Sequence, residues 1–126
     1  MDLMNLAEKR CVPCEGTTSS LTDNVEDEFL KETPAWQIDR TTIHKLDRRF
    51  TFKSFIWAIG FVNRIACITE NEQHHPDFRI SYKKVSIELW THAINGLSEN
   101  DFILAAKIDT IAEQENELCI SPDWSI

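Results

Sequence analysis

The chain has 126 residues and a formal net charge of −8, which suits a single domain with one hydrophobic core. So negative a surface repels phosphate, and this argues against a nucleic-acid-binding protein and against binding to anionic membranes. No apolar run approaches the roughly 20 residues that a bilayer span needs. The N-terminal sequence MDLMNLAEKR lacks the continuous apolar stretch of a secretory signal, so we expect a cytoplasmic protein with reduced cysteine thiols.

The N-terminal part of the chain predicts an irregular arm followed by a short helix. Its first stretch contains Cys-Val-Pro-Cys and Gly-Thr-Thr-Ser-Ser and shows no sustained period. Thr22 then suits a helix N-cap, Val25 and Phe29 follow at helical spacing, and Pro34 comes after the helix should stop. We therefore expect a helix over about 22–32.

Two strands and a long helix are predicted next. The stretches AWQID and HKLDRRFTF are separated by polar residues, and the second alternates apolar and polar side chains near its end, as the strands of a hairpin do. From Phe52 onward, apolar residues recur at spacings of three and four. This pattern predicts an amphipathic helix over about 52–71, capped by Thr51 and lying on one face of the sheet.

The remaining pattern predicts a second pair of strands and a final helix. His-His-Pro interrupts the long helix, and FRISY and VSIELWT have the composition of strands. In the second of them the Val-Ile-Leu row faces one side of the sheet, while Trp90 and His92 face the other. Ser98, with Asp101 three residues later, resembles a capping box at the start of a helix that runs to about residue 115.

The order of elements is therefore α-β-β-α-β-β-α. This order predicts an α+β fold, in which three helices cover one face of a four-stranded antiparallel sheet. We assign residues 1–20 to an irregular N-terminal arm, 21–116 to the folded domain and 117–126 to a C-terminal tail.

Three of the four histidines are concentrated in the second half of the chain, where His74 and His75 are adjacent and His92 ends a predicted strand. Cys11 and Cys14 have the spacing of half a zinc site. However, the sequence has no second Cys-x-x-Cys and no His pair at a spacing of three to five. Adjacent histidines seldom bind one ion because their side chains diverge, so we expect no metal. The other readings are a proton-transfer site, for which imidazole is well suited near neutral pH, and an ordinary surface loop.

The run ENEQHHPDFRISYKKVSIELWTHAINGLSEND resembles the signature of the pterin-4a-carbinolamine dehydratases. The similarity extends over roughly residues 11–113. Three positions depart from the family's pattern: Ala35 and Asn95 replace glycines, and Trp90 stands where a small hydroxyl residue is common. The signature positions, all in register, are Glu70, His74, His75, Pro76, Tyr82, His92 and Asp101.

The resemblance implies an enzyme that removes water from 4a-hydroxytetrahydropterin, so that tetrahydropterin can be recycled after aromatic amino acid hydroxylation. It implies no metal or organic cofactor, and a homodimer joined through the sheets or a homotetramer. By the same resemblance His74 and His92 form the acid–base pair and His75 binds and orients the pterin. The expected supporting residues are Glu70, Pro76, Trp90 and Asp101.

Two alternatives stay open at the level of sequence. Animal relatives of the family also stabilise dimers of a homeodomain transcription factor, so a chain with this fold can serve as a scaffold. A protein of this kind can also act on another pterin. The complete His-His-Pro and His set favours an enzyme, because a pure scaffold does not need it.

Overall fold

The computed structural model describes residues 5–12 and 19–118, without the side chains of 115–118. It confirms the predicted α+β fold and its order of elements. The four strands form one antiparallel sheet in the spatial order β1-β2-β4-β3. The three α-helices and four strands are α1 (Asp23–Leu30), β1 (Gln37–Asp39), β2 (Lys45–Thr51), α2 (Phe55–Glu72), β3 (Asp77–Ser81), β4 (Lys84–Leu89) and α3 (Glu99–Leu118).

The apolar face of the two central strands forms one wall of the core. In the antiparallel register Leu46 lies opposite Leu89, and Phe50 lies opposite Val85. All four side chains are buried, because opposite residues in such a pair point to the same face of the sheet. Helices α2 and α3 contact each other, and each also contacts this sheet. The predicted inward row of β4 is therefore confirmed.

The predicted start of α2 is wrong by three residues. Ser54, not Thr51, is the N-cap, and its hydroxyl accepts a hydrogen bond from the Trp57 amide. Phe52 remains extended after β2, where its amide donates to the carbonyl of Lys83 at 2.8 Å. Its ring is buried against Phe61. Phe52 fits both the alternation of the strand and the spacing of the helix. This overlap explains why the predicted helix begins too early.

The end of α2 positions the first histidine. Gln73 caps the helix in a left-handed conformation with φ of 57°, and the His74 amide still donates to the carbonyl of Thr69 at 3.3 Å. Pro76 follows and favours extended backbone in the residue before it. The chain thus leaves the helix abruptly and enters β3 at Asp77.

Near both ends of the chain the structure contains more helix than the sequence predicts. In the arm, a 3-10 helix covers Leu6–Glu8 and buries Leu6 in the core. Helix α3 continues to Leu118, so the boundary assigned between 116 and 117 falls within it. Cys14 and Cys119 lie outside the described residues. Within the described ranges, no helix is both long and apolar enough to cross a bilayer.

Candidate active site

A buried carboxylate holds the first histidine of the His-His-Pro motif. The Nε2 atom of His74 lies 2.6 Å from Oδ1 of Asp101. The His74 side chain is 12% exposed and the Asp101 side chain is 0% exposed. Since an ionised carboxylate can only accept hydrogen bonds, Nε2 is the nitrogen that donates. In the neutral ring this leaves Nδ1 as the nitrogen able to accept a proton.

Asp101 is itself fixed by two other elements. Its Oδ2 atom accepts hydrogen bonds from the Thr91 hydroxyl at 2.8 Å and from the Ser98 amide at 3.0 Å. The Thr91 and Ser98 hydroxyls are 2.8 Å apart and bonded to each other. The Ser98 amide contact is the half of a capping box in which the third helical residue bonds back to the N-cap. Asp101 therefore caps the start of α3 and orients His74 at the same time.

The second candidate histidine is stacked on a tryptophan. The rings of Trp90 and His92 have centroids 3.7 Å apart and planes 24° from parallel. The indole Nε1 of Trp90 donates to Oδ2 of Asp77 at 3.2 Å, and the Lys45 ammonium lies 5.3 Å from the indole centroid. His92 itself is exposed, at the start of a 3-10 helix over His92–Ile94. Its ring is thus oriented by stacking and accessible to a ligand.

The third histidine is held more loosely. His75 is 54% exposed, and its Nε2 lies 3.7 Å from Oε1 of Glu70, which is 76% exposed. That distance is too long for a hydrogen bond and suits an ion pair when His75 is protonated. His75 is therefore able to adjust its position.

One open cavity of about 340 Å³ brings the three histidines together. Its wall combines the end of α2, the start of β3, the segment after β4, the first turn of α3 and part of the N-terminal arm. Such a cavity, with a few convergent polar groups, is typical of a small-molecule site. The lining residues are Val12, Gln73, His74, His75, Pro76, Asp77, Trp90, Thr91, His92, Ala93 and Asn100.

One protein-family model covers most of the residues that line this cavity. Residues 19–111 match the family model described as "Pterin 4 alpha carbinolamine dehydratase", which spans most of the chain. The chain belongs to the pterin-4-alpha-carbinolamine dehydratase family. Two similar proteins bear the name "Putative pterin-4-alpha-carbinolamine dehydratase". One, from Dechloromonas aromatica, is 43% identical over 86% of this chain and 95% of its own length. The other, from Rickettsia canadensis, is 45% identical over 83% of this chain and 95% of its own length.

Two solved structures are similar to this dehydratase-family chain. The structure titled "Crystal structure of transcriptional coactivator/pterin dehydratase from Brucella Melitensis" aligns with a TM-score of 0.70 at 34% identity, over 75% of this chain and 99% of the other. A second structure is described as "a pterin dehydratase-like protein as a RuBisCO assembly factor in the alpha-carboxysome". It aligns with a TM-score of 0.54 at 25% identity, over 62% of this chain and 89% of the other.

The structure places the sequence-predicted site residues in different positions relative to the cavity. The three histidines, Pro76 and Trp90 line it, whereas Asp101 lies behind His74 and Glu70 lies beside His75. Tyr82, a signature position of the dehydratase family, is 68% exposed in the turn between β3 and β4, with φ of 54°. It does not line this cavity.

Sequence reasoning missed several residues of the site. Thr91 and Ser98 give no sequence signal beyond a helix cap, because their bonds to Asp101 depend on how the segment after β4 folds back on α3. Val12 and Asn100 were also missed. Their contact joins the arm to α3 across 88 residues of chain, and no local pattern indicates so distant a contact.

The fourth histidine belongs to a different cluster. His44 Nδ1 lies 2.9 Å from Oε2 of Glu26, with Asp23 3.9 Å away. These three residues have ligand atoms close enough together to bind a metal ion. However, the Arg40 guanidinium already contacts Glu26 at 2.9 Å, so the buried carboxylate is neutralised within the protein. We treat the cluster as an ion-pair network that attaches the connection between β1 and β2 to α1.

Proposed function

We propose that this protein is a hydro-lyase that removes water from 4a-hydroxytetrahydropterin and gives quinonoid dihydropterin. The observation that carries the proposal is the convergence of three imidazoles on one cavity, with one of them held by a buried carboxylate. Membership of the dehydratase family supports the same reaction. The elimination is redox-neutral and needs proton transfers alone, so we propose no metal or organic cofactor.

The reaction needs one proton donor and one proton acceptor. The donor protonates the 4a-hydroxyl, and the carbon–oxygen bond at C4a breaks with water as the leaving group. The lone pair of N5 forms the C4a=N5 double bond, and the acceptor removes the proton from N5. Hydroxide leaves poorly near neutral pH, and a positioned acid or base typically contributes about 10²- to 10⁴-fold.

His74 and His92 suit these two roles because each has a neighbour that stabilises a positive ring. The Asp101 carboxylate faces Nε2 of His74, and the indole face of Trp90 lies against His92, where a cation is attracted by the aromatic ring. We propose these two histidines as the acid–base pair. His75, exposed and adjustable, binds and orients the pterin.

The supporting residues act by position. Asp101 fixes the tautomer and orientation of His74, as a buried carboxylate does for a catalytic imidazole elsewhere. Glu70 stands beside His75, Pro76 fixes the backbone after the histidine pair, and Trp90 stacks on His92.

We further propose the physiological setting that the resemblance implies. The dehydratase acts in tetrahydropterin recycling after aromatic amino acid hydroxylation, as a homodimer or homotetramer in the cytoplasm. The proposed reaction and the proposed pathway agree, because the 4a-hydroxy adduct is the product that such hydroxylases release.

A scaffold is the second candidate, and one observation favours it. A structural neighbour is titled as a RuBisCO assembly factor, and it is a pterin dehydratase-like protein by the same title. A fold of this kind can thus serve in assembly. The two candidates differ in one property, since a dehydratase must bind a pterin in the histidine cavity and a pure scaffold need not. A protein acting on a different pterin would bind pterins without accelerating this dehydration.

The test combines binding with turnover. An aromatic amino acid hydroxylase generates 4a-hydroxytetrahydropterin in a stopped-flow instrument, and ultraviolet absorbance follows its dehydration with and without the folded protein. Acceleration over the spontaneous rate is the expected result. Folded protein that neither accelerates dehydration nor binds tetrahydropterin would favour the scaffold. Binding without acceleration would favour another pterin substrate.

A further inference from the structure

The N-terminal arm is attached along helix α3 before it reaches the cavity. Leu6 is 3% exposed and belongs to the hydrophobic core. The Lys107 ammonium donates to the carbonyl of Ala7 at 2.8 Å, and the Lys9 ammonium lies 2.5 Å from Oε2 of Glu99. The arm therefore has both an apolar anchor and polar attachments in its first described residues.

Two buried polar side chains fasten the next two residues. Oε1 of Glu72 accepts the amide of Cys11 at 2.7 Å, and Glu72 is only 7% exposed. Asn100, 4% exposed, bonds Val12 twice: its Oδ1 accepts the Val12 amide at 2.9 Å, and its Nδ2 donates to the Val12 carbonyl. Buried polar groups need partners. The partners of Glu72 and Asn100 include the arm's backbone, so this path of the arm is specified by the fold.

The first described stretch of the arm reaches the candidate active site at Val12. Val12 lines the same cavity as His74, His75 and His92, and the residue is 64% exposed. An exposed valine whose backbone is held by the buried Asn100 at the wall of a small-molecule cavity can bury its methyl groups against a ligand. We propose that residues 9–12 form a strap that holds Val12 at the wall of the pterin site, where Val12 is an apolar contact that contributes to substrate affinity and specificity. This inference rests on the proposed dehydratase function.

The strap is attached next to the residue that orients His74. Asn100 and Asp101 are consecutive in the first turn of α3, so a change at Asn100 can disturb both the strap and the histidine. A change at Val12 avoids this problem. The two bonds from Asn100 reach only the backbone of Val12, so a side-chain truncation leaves them in place.

Steady-state dehydration kinetics test the contact. Val12→Ala removes two methyl groups from the cavity wall, and we expect KM to rise about three- to tenfold while kcat changes less than about twofold, since apolar contacts of this size contribute affinity alone. Val25→Ala is the matched control, because Val25 is also exposed, at 40%, and lies outside the cavity on α1. An unchanged KM in Val12→Ala, with active wild-type protein, overturns the strap and leaves the dehydratase standing. Wild-type protein without dehydratase activity overturns both.

Cysteine alkylation supplies a readout that does not depend on turnover. Cys11 is partly buried, its Sγ lies 3.6 Å from the carbonyl of Asn100, and burial together with the Glu72 carboxylate raises its pKa to about 12. The thiolate, which reacts with iodoacetamide, is therefore scarce while the strap is docked. We expect bound tetrahydropterin to slow alkylation of Cys11, relative to that of the exposed Cys67, by about twofold or more. A ligand that contacts Val12 favours the docked strap over the released strap.

Releasing the strap should have the opposite effect. Asn100→Ala should speed Cys11 alkylation at least about fivefold, whereas Asn63→Ala, an exposed position on α2, should leave it unchanged. Mass spectrometry of the labelled peptide assigns the modification to each cysteine. If saturating pterin binds to the wild-type protein and does not alter the Cys11 rate, the strap does not close on the substrate and the inference is wrong.

Discussion

Nε2 of His74 and Oδ1 of Asp101 are 2.6 Å apart, although the two residues are separated by 27 positions in the chain. The contact joins the end of α2 to the first turn of α3. Because Asp101 is completely buried and bonded to Thr91 and Ser98, the carboxylate cannot move to follow the ring. His74 is therefore held in one orientation before any substrate arrives.

The first prediction concerns the charge of that carboxylate. Asp101→Asn keeps the size of the side chain but removes the negative charge that compensates a protonated His74. We expect kcat to fall by about 10²-fold or more, because the neutral amide no longer faces the imidazole with a negative charge. Rates across the pH range test this, with Glu113→Gln on the exposed side of α3 as the control. Unchanged kcat in folded Asp101→Asn would contradict a positioning role.

The second prediction concerns the stacked pair. Trp90→Ala removes the aromatic face against His92, whereas Trp90→Phe keeps a face and loses only the bond to Asp77. Since such ring contacts contribute about 0.5–1.5 kcal/mol, we expect kcat to fall roughly two- to tenfold in Trp90→Ala and less in Trp90→Phe. Equal kinetics in the two variants would mean that stacking does not orient His92.

The third prediction concerns stability and pH at Asp109. Its carboxylate accepts hydrogen bonds from Trp36 Nε1 at 2.7 Å and from Arg48, yet burial raises its pKa above the ordinary value of 3.8, an effect that the Arg48 guanidinium only partly offsets. Between those two pKa values the folded state binds more protons than the unfolded chain, so this group's contribution to stability falls as pH rises.

Urea unfolding at several pH values measures this contribution. The comparison protein is Asp109→Asn, which cannot titrate at this position. The free energy of unfolding of the wild-type protein, relative to that of Asp109→Asn, should be highest below the ordinary pKa and should fall as pH rises through the raised pKa. If the wild-type protein instead gained stability relative to Asp109→Asn as pH rises in this window, the raised pKa of Asp109 would be contradicted.

The fourth prediction compares two asparagines in different backbone conformations, one left-handed and one inside a helix. Asn95 ends the 3-10 helix with φ of 50°, a conformation that glycine adopts without strain. Asn95→Gly should therefore keep or raise the free energy of unfolding. Asn63→Gly, at an exposed position inside α2, should lower it by about 0.3–0.5 kcal/mol, because glycine is less favourable than asparagine inside a helix. Denaturant unfolding would refute the account if both variants lost the same stability.

The sequence was sufficient for the fold because its signals are local. Alternation along β2 and β4 follows directly from which side chains reach the core. Helix α2 ends close to the expected position, at the left-handed Gln73 and the His-His-Pro that follows it. The start of α2 was misplaced because Phe52 satisfies both periods. Its burial against Phe61, a contact formed in three dimensions, decides between them.

The site was only partly predictable for the same reason. The family signature selects the three histidines and Asp101 as candidates, and the structure places the three histidines at one cavity with Asp101 behind His74. The Thr91 and Ser98 bonds to Asp101, and the attachment of Val12 to Asn100, arise where distant segments pack together. No periodicity or spacing in a single sequence indicates such contacts, so they required the structure.

The most direct test of the account is the dehydration rate of 4a-hydroxytetrahydropterin in the presence of wild-type protein, His74→Ala and His92→Ala. His44→Asn is the control, because that histidine bonds Glu26 outside the cavity and asparagine keeps a donor. We predict acceleration by the wild-type and His44→Asn proteins, and a loss of about 10²-fold or more in each of the other two. Near-normal turnover in folded His74→Ala and His92→Ala would contradict the proposed acid–base pair.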